Sequence, residues 1–165
     1  MLEQAIEFST KKFEAVNMRN HFLRVLAVLQ NEFHTNDIEL LTAAILHDTL
    51  EDTDTTYDEL VEVFSKPIAD LVQEVSHPKN YNKEQKLEYY EKLKTITLKA
   101  KMIKLADFTD NLRNMIDIRK KADPKSPYHN QYIFWIRDFL NSCPNSNAKE
   151  LVFTLTKELE VFVTE

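Results

Sequence analysis

The chain has 165 residues, 43% of them hydrophobic, and a formal net charge of −6; this suits one domain with a sizeable core and argues against a surface made for duplex nucleic acid. Glycine is absent and prolines number five, which excludes a glycine-rich phosphate loop and points to helices joined by short polar connections. The only cysteine, Cys143, excludes an internal disulfide and a thiolate zinc set, and neither a secretory leader nor an apolar run of membrane-spanning length is visible, so a reducing cytoplasm is expected.

Residues 2–12 set Leu2, Ala5, Ile6 and Phe8 at mostly helical spacing, with Phe13 just beyond, and a break is expected over residues 15–20. A second helix over about 20–32 turns Phe22, Val25, Leu26, Val28 and Leu29 inward, with His21 at its start. The third, over 37–51, opens on Asn36-Asp37-Ile38-Glu39, a capping-box-like start. Thr56-Tyr57-Asp58-Glu59 is a capping box for a short helix that buries Leu60, Val61 and Phe64, and Pro67 begins another with Ile68, Leu71, Val72 and Val75 inward. Residues 76–86 read as a polar loop. Its Lys79 and Lys83 are candidates for meeting phosphate from a pocket rim, and its His77 is left unassigned.

A helix over 86–99 follows, with Leu87, Tyr90 and Leu93 on one side. The stretch 100–114 then builds a core face from Met102, Ile103, Leu105, Ala106 and Leu112, and among these Asp107 and Asn111 stand four apart. Asp110 is expected nearer solvent than Asp107, by a small margin. After a loop at Pro124-Lys125-Ser126-Pro127, an aromatic-rich helix over 128–140 carries Trp135 and Phe139 as core, while Tyr132 is placed either in the core or facing a base. A turn at 142–147 and an amphipathic helix over 149–162 close an all-α, single-domain bundle covering residues 1–165.

The chemistry concentrates in Leu40 to Asp54. A nearly all-apolar run passes directly into His47, Asp48, Glu51 and Asp52, and four ionisable groups at the end of a buried helix each carry a desolvation cost unless a partner such as a cation offsets it. His47 and Glu51 are four apart, as are Asp48 and Asp52. An imidazole beside a carboxylate fits a divalent metal such as manganese, with the two further carboxylates free to orient or deprotonate water. Asp107 is a candidate to complete the metal site and Asn111 to bind substrate or orient water.

The run Ala-Ala-Ile-Leu-His47-Asp48-Thr-Leu-Glu51-Asp52-Thr-Asp-Thr-Thr, with Lys-Leu-Ala-Asp107-Phe-Thr-Asp-Asn111-Leu-Arg113 later, resembles the HD-domain hydrolases of the RelA/SpoT-homologue group, and most closely its free-standing small alarmone hydrolases. The resemblance implies a helical bundle that holds one Mn²⁺ ion and removes the 3′-pyrophosphate from ppGpp and pppGpp. It implies His21, His47, Asp48 and Asp107 as metal ligands and Glu51 and Asp52 as catalytic carboxylates. Asn111 matches a substrate-side amide, and Lys79 and Lys83 fall where that family often carries phosphate-contacting residues. Counting back from His21, Lys12 takes the place of the family's base-stacking arginine, and a lysine cannot stack a flat guanidinium on a purine. Two rival readings stand beside it: a phosphohydrolase for another nucleotide, such as an NADPH 2′-phosphatase, and a catalytically silent helical partner that neutralises a nucleotide synthetase by contact. Oligomeric state is left open.

Overall fold

The computed structural model describes residues 1–16, 20–121 and 127–162, and among them forms ten helices and no strand. α1 (Leu2–Glu14) buries Ala5, Ser9 and Phe13, and α2 (His21–Asn31) buries Phe22, Val25, Leu26, Val28 and Leu29. With no glycine in the chain, left-handed backbone falls to Asn20, His34 and Asn80, at φ of 70°, 53° and 53°. A short polar side chain tolerates that region better than most, and Asn20 uses it to turn the chain into His21 and α2.

α3 (Ile38–Leu46) is the hub. Asp37 caps it by accepting from the Leu40 N–H at 3.1 Å, and every residue from Leu40 to Leu46 is buried. It packs against α1, α2, α6 (Lys66–Val75) and α8 (Leu98–Lys121). The helix expected over 37–51 does not run through. It breaks at His47 and Asp48, the latter at φ −93°, ψ −3°, before α4 (Thr49–Asp52) resumes. Side chains take over the helix-end carbonyls there: the Thr49 hydroxyl donates to Leu46 O and the His47 ring to Ala44 O, each at 2.7 Å. Such local bonds compete with the continuing helical ladder.

α5 (Tyr57–Val63) is capped by Thr56, which accepts from the Glu59 N–H at 3.2 Å, but the expected box is half made. The Glu59 carboxylate turns instead to Lys12 Nζ at 3.0 Å. α6 carries Pro67 in its first turn as expected. α7 (Lys83–Leu93) begins three residues before the expected start, because Asn82 and Gln85 form a reciprocal capping box with both bonds at 2.9 Å. The helix expected over 86–99 is therefore split: α7 ends at Leu93, and the turn that follows is pinned by the Thr97 N–H donating to Glu74 Oε2 at 2.6 Å.

α8 then runs 24 residues, about 36 Å, and takes in the whole 100–114 stretch. It packs on α2 and on α10 (Asn147–Glu160), with α9 (Pro127–Asn141) against α10 and α7. Ser146 caps α10, so that helix starts two residues before the expected Lys149. Of the loop expected at 124–127, residues 124–126 lie outside the described residues, and Pro127 is already the first residue of α9. Phe108, Phe139, Leu29, Ile45 and Leu112 fill the centre, and Trp135 stacks on Tyr90 at 4.4 Å. Among the described residues no helix is long and apolar enough to cross a membrane.

Candidate metal centre and its cleft

Three elements meet at one polar spot. His21 opens α2, His47 and Asp48 form the break after α3, and Asp107 sits mid-way along α8. His21 Nε2 stands 3.1 Å from Asp107 Oδ1 and 3.6 Å from Asp48 Oδ2. His47 Nε2 stands 3.0 Å from Asp48 Oδ1 and 3.8 Å from Asp107 Oδ1. Ligand atoms of His21, His47 and Asp48 all lie within 4.8 Å of one another. Donors placed about 2.0–2.2 Å from one divalent ion at right angles are about 3 Å apart, so the spacing fits a shared cation.

The ring of His47 gives an independent test of that fit. It is 2% exposed, its Nδ1–H is committed to Ala44 O at 2.7 Å, and its Nε2 is buried with no hydrogen-bond partner among the described residues. With Nδ1–H committed to that carbonyl, Nε2 is the nitrogen that faces the carboxylates, and it is the one a cation would take once the proton the carboxylates favour there is displaced.

Electrostatics say the same. Burial alone would push the histidines down, yet Asp48 and Asp107 carry His47 well above its ordinary value, and hydrogen bonds to Asp107 and Asp110 carry His21 to about 9. Burial likewise opposes the charge on Asp107, but the Lys104 ammonium holds its carboxyl well below the usual range. An anionic pocket that draws protons onto two imidazoles is one in which a divalent cation replaces those protons on binding.

Beside this cluster lies a cleft of about 400 Å³ whose walls include Glu51, Asp52, Asn111 and Tyr132 as well as His21, Asp48 and Asp107. Glu51 is clamped by one residue: its Oε1 accepts the His77 backbone N–H at 2.9 Å and its Oε2 lies 2.7 Å from His77 Nε2. Asp52 stands exposed at the rim with its carboxyl raised to about 6, first by partial desolvation and then by the charges of Asp48 and Glu51. Asn111 donates to Asp107 Oδ1 at 2.7 Å. Tyr132 is buried on the wall, edge-on to Phe108 at 6.0 Å.

The three lysines read from sequence as substrate contacts are placed elsewhere, and none lines the cleft. Lys12 Nζ is held between Asp54 at 2.8 Å and Glu59 at 3.0 Å, Lys79 donates to Thr53 O, and Lys83 is exposed as the first residue of α7. Asp110, expected nearer solvent, is 6% exposed and lines the cleft, because His21 and Arg24 hold it inward. Among the residues lining the cleft, Arg24, His77 and Lys104 were not read from sequence as site residues. His77 had no local signal, since its contact with Glu51 spans 26 positions. Lys104 had one: it precedes Asp107 by three on the same helix and reaches its Oδ2 at 2.5 Å.

A His-Asp pair at a helix break, met by a histidine and an aspartate from two other helices of an all-α bundle, defines the class of helical domains named for that pair. The chain belongs to the HD domain family, whose profile matches residues 1–134, and within it to the RelA/SpoT-homologue group that includes MESH1. MESH1 of Danio rerio, a guanosine-3′,5′-bis(diphosphate) 3′-pyrophosphohydrolase, is 41% identical over 97 residues, 58% of this chain and 54% of that protein. The Drosophila melanogaster protein of the same name is 32% identical over 130 residues, 78% of this chain and 72% of that one. The solved structure of a metazoan ortholog of SpoT that hydrolyses ppGpp superposes with a TM-score of 0.73 at 26% identity, covering 98% of this chain and 92% of that one. The match thus spans about half the length of the zebrafish relative and more of the fly one.

Proposed function

We propose that the protein is a Mn²⁺-dependent hydrolase that removes the 3′-pyrophosphate from ppGpp and pppGpp, acting as a single domain in the cytoplasm. The observation that carries the reading is the convergence of His21, His47, Asp48 and Asp107, with an orphaned buried imidazole nitrogen, next to two further acids. The relatives named for this activity supply the substrate.

His21, His47, Asp48 and Asp107 would hold the ion. When bound, a divalent cation supplies Lewis acidity toward a phosphate oxygen and makes water easier to deprotonate. The chain's own groups do the rest. Asp52, with its carboxyl raised to about 6, is poised to take a proton near neutral pH, and Glu51, fixed on both oxygens by His77, orients the attacking water. Asn111 and Tyr132 hold the substrate from the α8 and α9 walls, and Arg24 and Lys104 bring positive charge to the cleft. Lys79 and Lys83 fit only an outer role, toward phosphate beyond the cleft.

A second nucleotide substrate gains weight from one observation. Lys12, at the place of the family's base-stacking arginine, is tied to Asp54 and Glu59, so base recognition falls to other groups. The test is product analysis after incubating purified protein and Mn²⁺ with ppGpp and with NADPH. GDP and pyrophosphate from ppGpp, lost in Asp48→Ala and Glu51→Ala, are expected. Inorganic phosphate from NADPH with ppGpp left intact would transfer the assignment to a 2′-phosphatase. Intact nucleotides throughout, from folded and metal-loaded protein, would leave the silent-partner reading standing.

A further inference from the structure

We propose that Asp110 is the positioning carboxylate of His21 and that Arg24 holds Asp110 in that role, a relay running from the outer face of α2 to the metal set. The inference rests on the reading of His21 as a metal ligand. His21 Nδ1 donates to Asp110 Oδ2 at 2.7 Å, while its Nε2 faces Asp107 Oδ1 at 3.1 Å and Asp48 Oδ2 at 3.6 Å. The two ring nitrogens therefore have separate tasks. A proton kept on Nδ1 leaves the Nε2 lone pair for the cation, and a carboxylate acceptor makes that lone pair more basic.

Asp110 is suited to this task and not to ligation. Its second oxygen receives Arg24 Nε at 2.8 Å, so both oxygens are engaged from α2, on the Nδ1 side of the ring. Asp110 is buried at 6% exposure, whereas the Arg24 side chain is 53% exposed. Without the Arg24 guanidinium, the buried Asp110 carboxylate would stand near Asp48 and Asp107 with one direct cationic partner fewer. The arrangement also answers a local need. His21 is the first helical residue after Asn20 at φ 70°, so no preceding helical turn packs its ring, while Arg24, three residues on, shares its face of α2. His47 is steadied differently, by the Ala44 carbonyl, a neutral acceptor.

The experiment is calorimetric titration of the purified full chain with Mn²⁺, alongside Asp110→Ala, Asp110→Asn, Arg24→Ala, the Arg24→Ala/Asp110→Ala double variant, and His47→Ala as a ligand-loss control. Loss of such an outer partner typically weakens metal binding about 10- to 100-fold, and that rise in Kd is expected for Asp110→Ala. Asp110→Asn, which keeps an acceptor but not the charge, should fall between it and the unaltered protein. Arg24→Ala should weaken binding less than Asp110→Ala, and the double variant should bind like Asp110→Ala alone, because Arg24 acts through Asp110. A purely structural role would lower the melting temperature of the metal-free protein and leave Kd in place. Unchanged Kd in folded Asp110→Ala or Asp110→Asn overturns the inference. So does loss in Asp110→Asn as complete as in His47→Ala, which would make Asp110 a ligand. No Mn²⁺ binding by the unaltered protein overturns it together with the metal reading beneath it. Nucleotide turnover plays no part in the readout, so a wrong substrate assignment leaves the comparison intact.

Discussion

Replacing Lys104 with methionine should separate the stability of the metal-free protein from that of the loaded one. Lys104 is 7% exposed and its Nζ lies 2.5 Å from Asp107 Oδ2, so methionine fills most of its volume but leaves a buried carboxylate without its cation. Breaking a buried ion pair from one side costs about 3–5 kcal/mol. Asp107 keeps Asn111 Nδ2 at 2.7 Å and His21 Nε2 at 3.1 Å, which places the expected cost at the low end, about 3 kcal/mol. For a chain of this size that is a fall in melting temperature of about 6–12 °C. A cation beside Asp107 supplies the missing positive charge, so the deficit should shrink in Mn²⁺. Thermal unfolding by circular dichroism in chelator and in excess Mn²⁺ measures both. An equal fall in the two conditions would refute the reasoning, assigning Lys104 instead to packing over the Phe108 ring, 4.9 Å away.

Other outcomes follow from the same geometry. His21, raised to about 9, must shed its proton to bind a cation, so Mn²⁺ affinity should climb between pH 6 and 8, by up to about tenfold per pH unit for each proton released; pH-independent calorimetric Kd values would contradict this. Asp37→Ala removes the cap of α3 and should cost about 1 kcal/mol, about 2–4 °C, in denaturant or thermal unfolding. The bond from Lys99 holds the Asp37 carboxyl below its ordinary 3.8, so its contribution is complete above that value and lost as pH falls through the lower folded value. The Asp37→Ala difference should therefore shrink in strong acid, as the charge-linked part of the cap is lost. Lys12→Met should cost under about 1 kcal/mol of stability and leave KM for ppGpp unchanged, whereas a tenfold rise, about 1.4 kcal/mol, would bring that lysine to the substrate.

Periodicity made most of the bundle legible, since the inward stripes of α2, α6 and α9 are the buried residues found there. Boundaries failed where a side chain competed with the backbone. The Thr49 hydroxyl and His47 ring end α3 early, and the Asn82/Gln85 box, written in the sequence but passed over, starts α7 early. The His-Asp cluster stood out because ionisable groups rarely follow a buried apolar run without compensation. What spacing along one helix could not give was contact across helices. Asp110 looked solvent-side on its own helical wheel because its partners, His21 and Arg24, come from α2, and His77 reaches Glu51 from a loop. Lys12 was equally illegible: it has two acids of its own within reach, Asp54 and Glu59, which only the packing of distant segments shows.

The most direct measurement is pyrophosphate release from ppGpp by chelator-stripped protein as Mn²⁺ is added back. Release should be absent without the ion, rise to a plateau at one equivalent per chain, and fail to rise in His47→Ala or Asp107→Ala. Full release from stripped protein, or a plateau reached equally well by those variants, would contradict a centre built from these side chains.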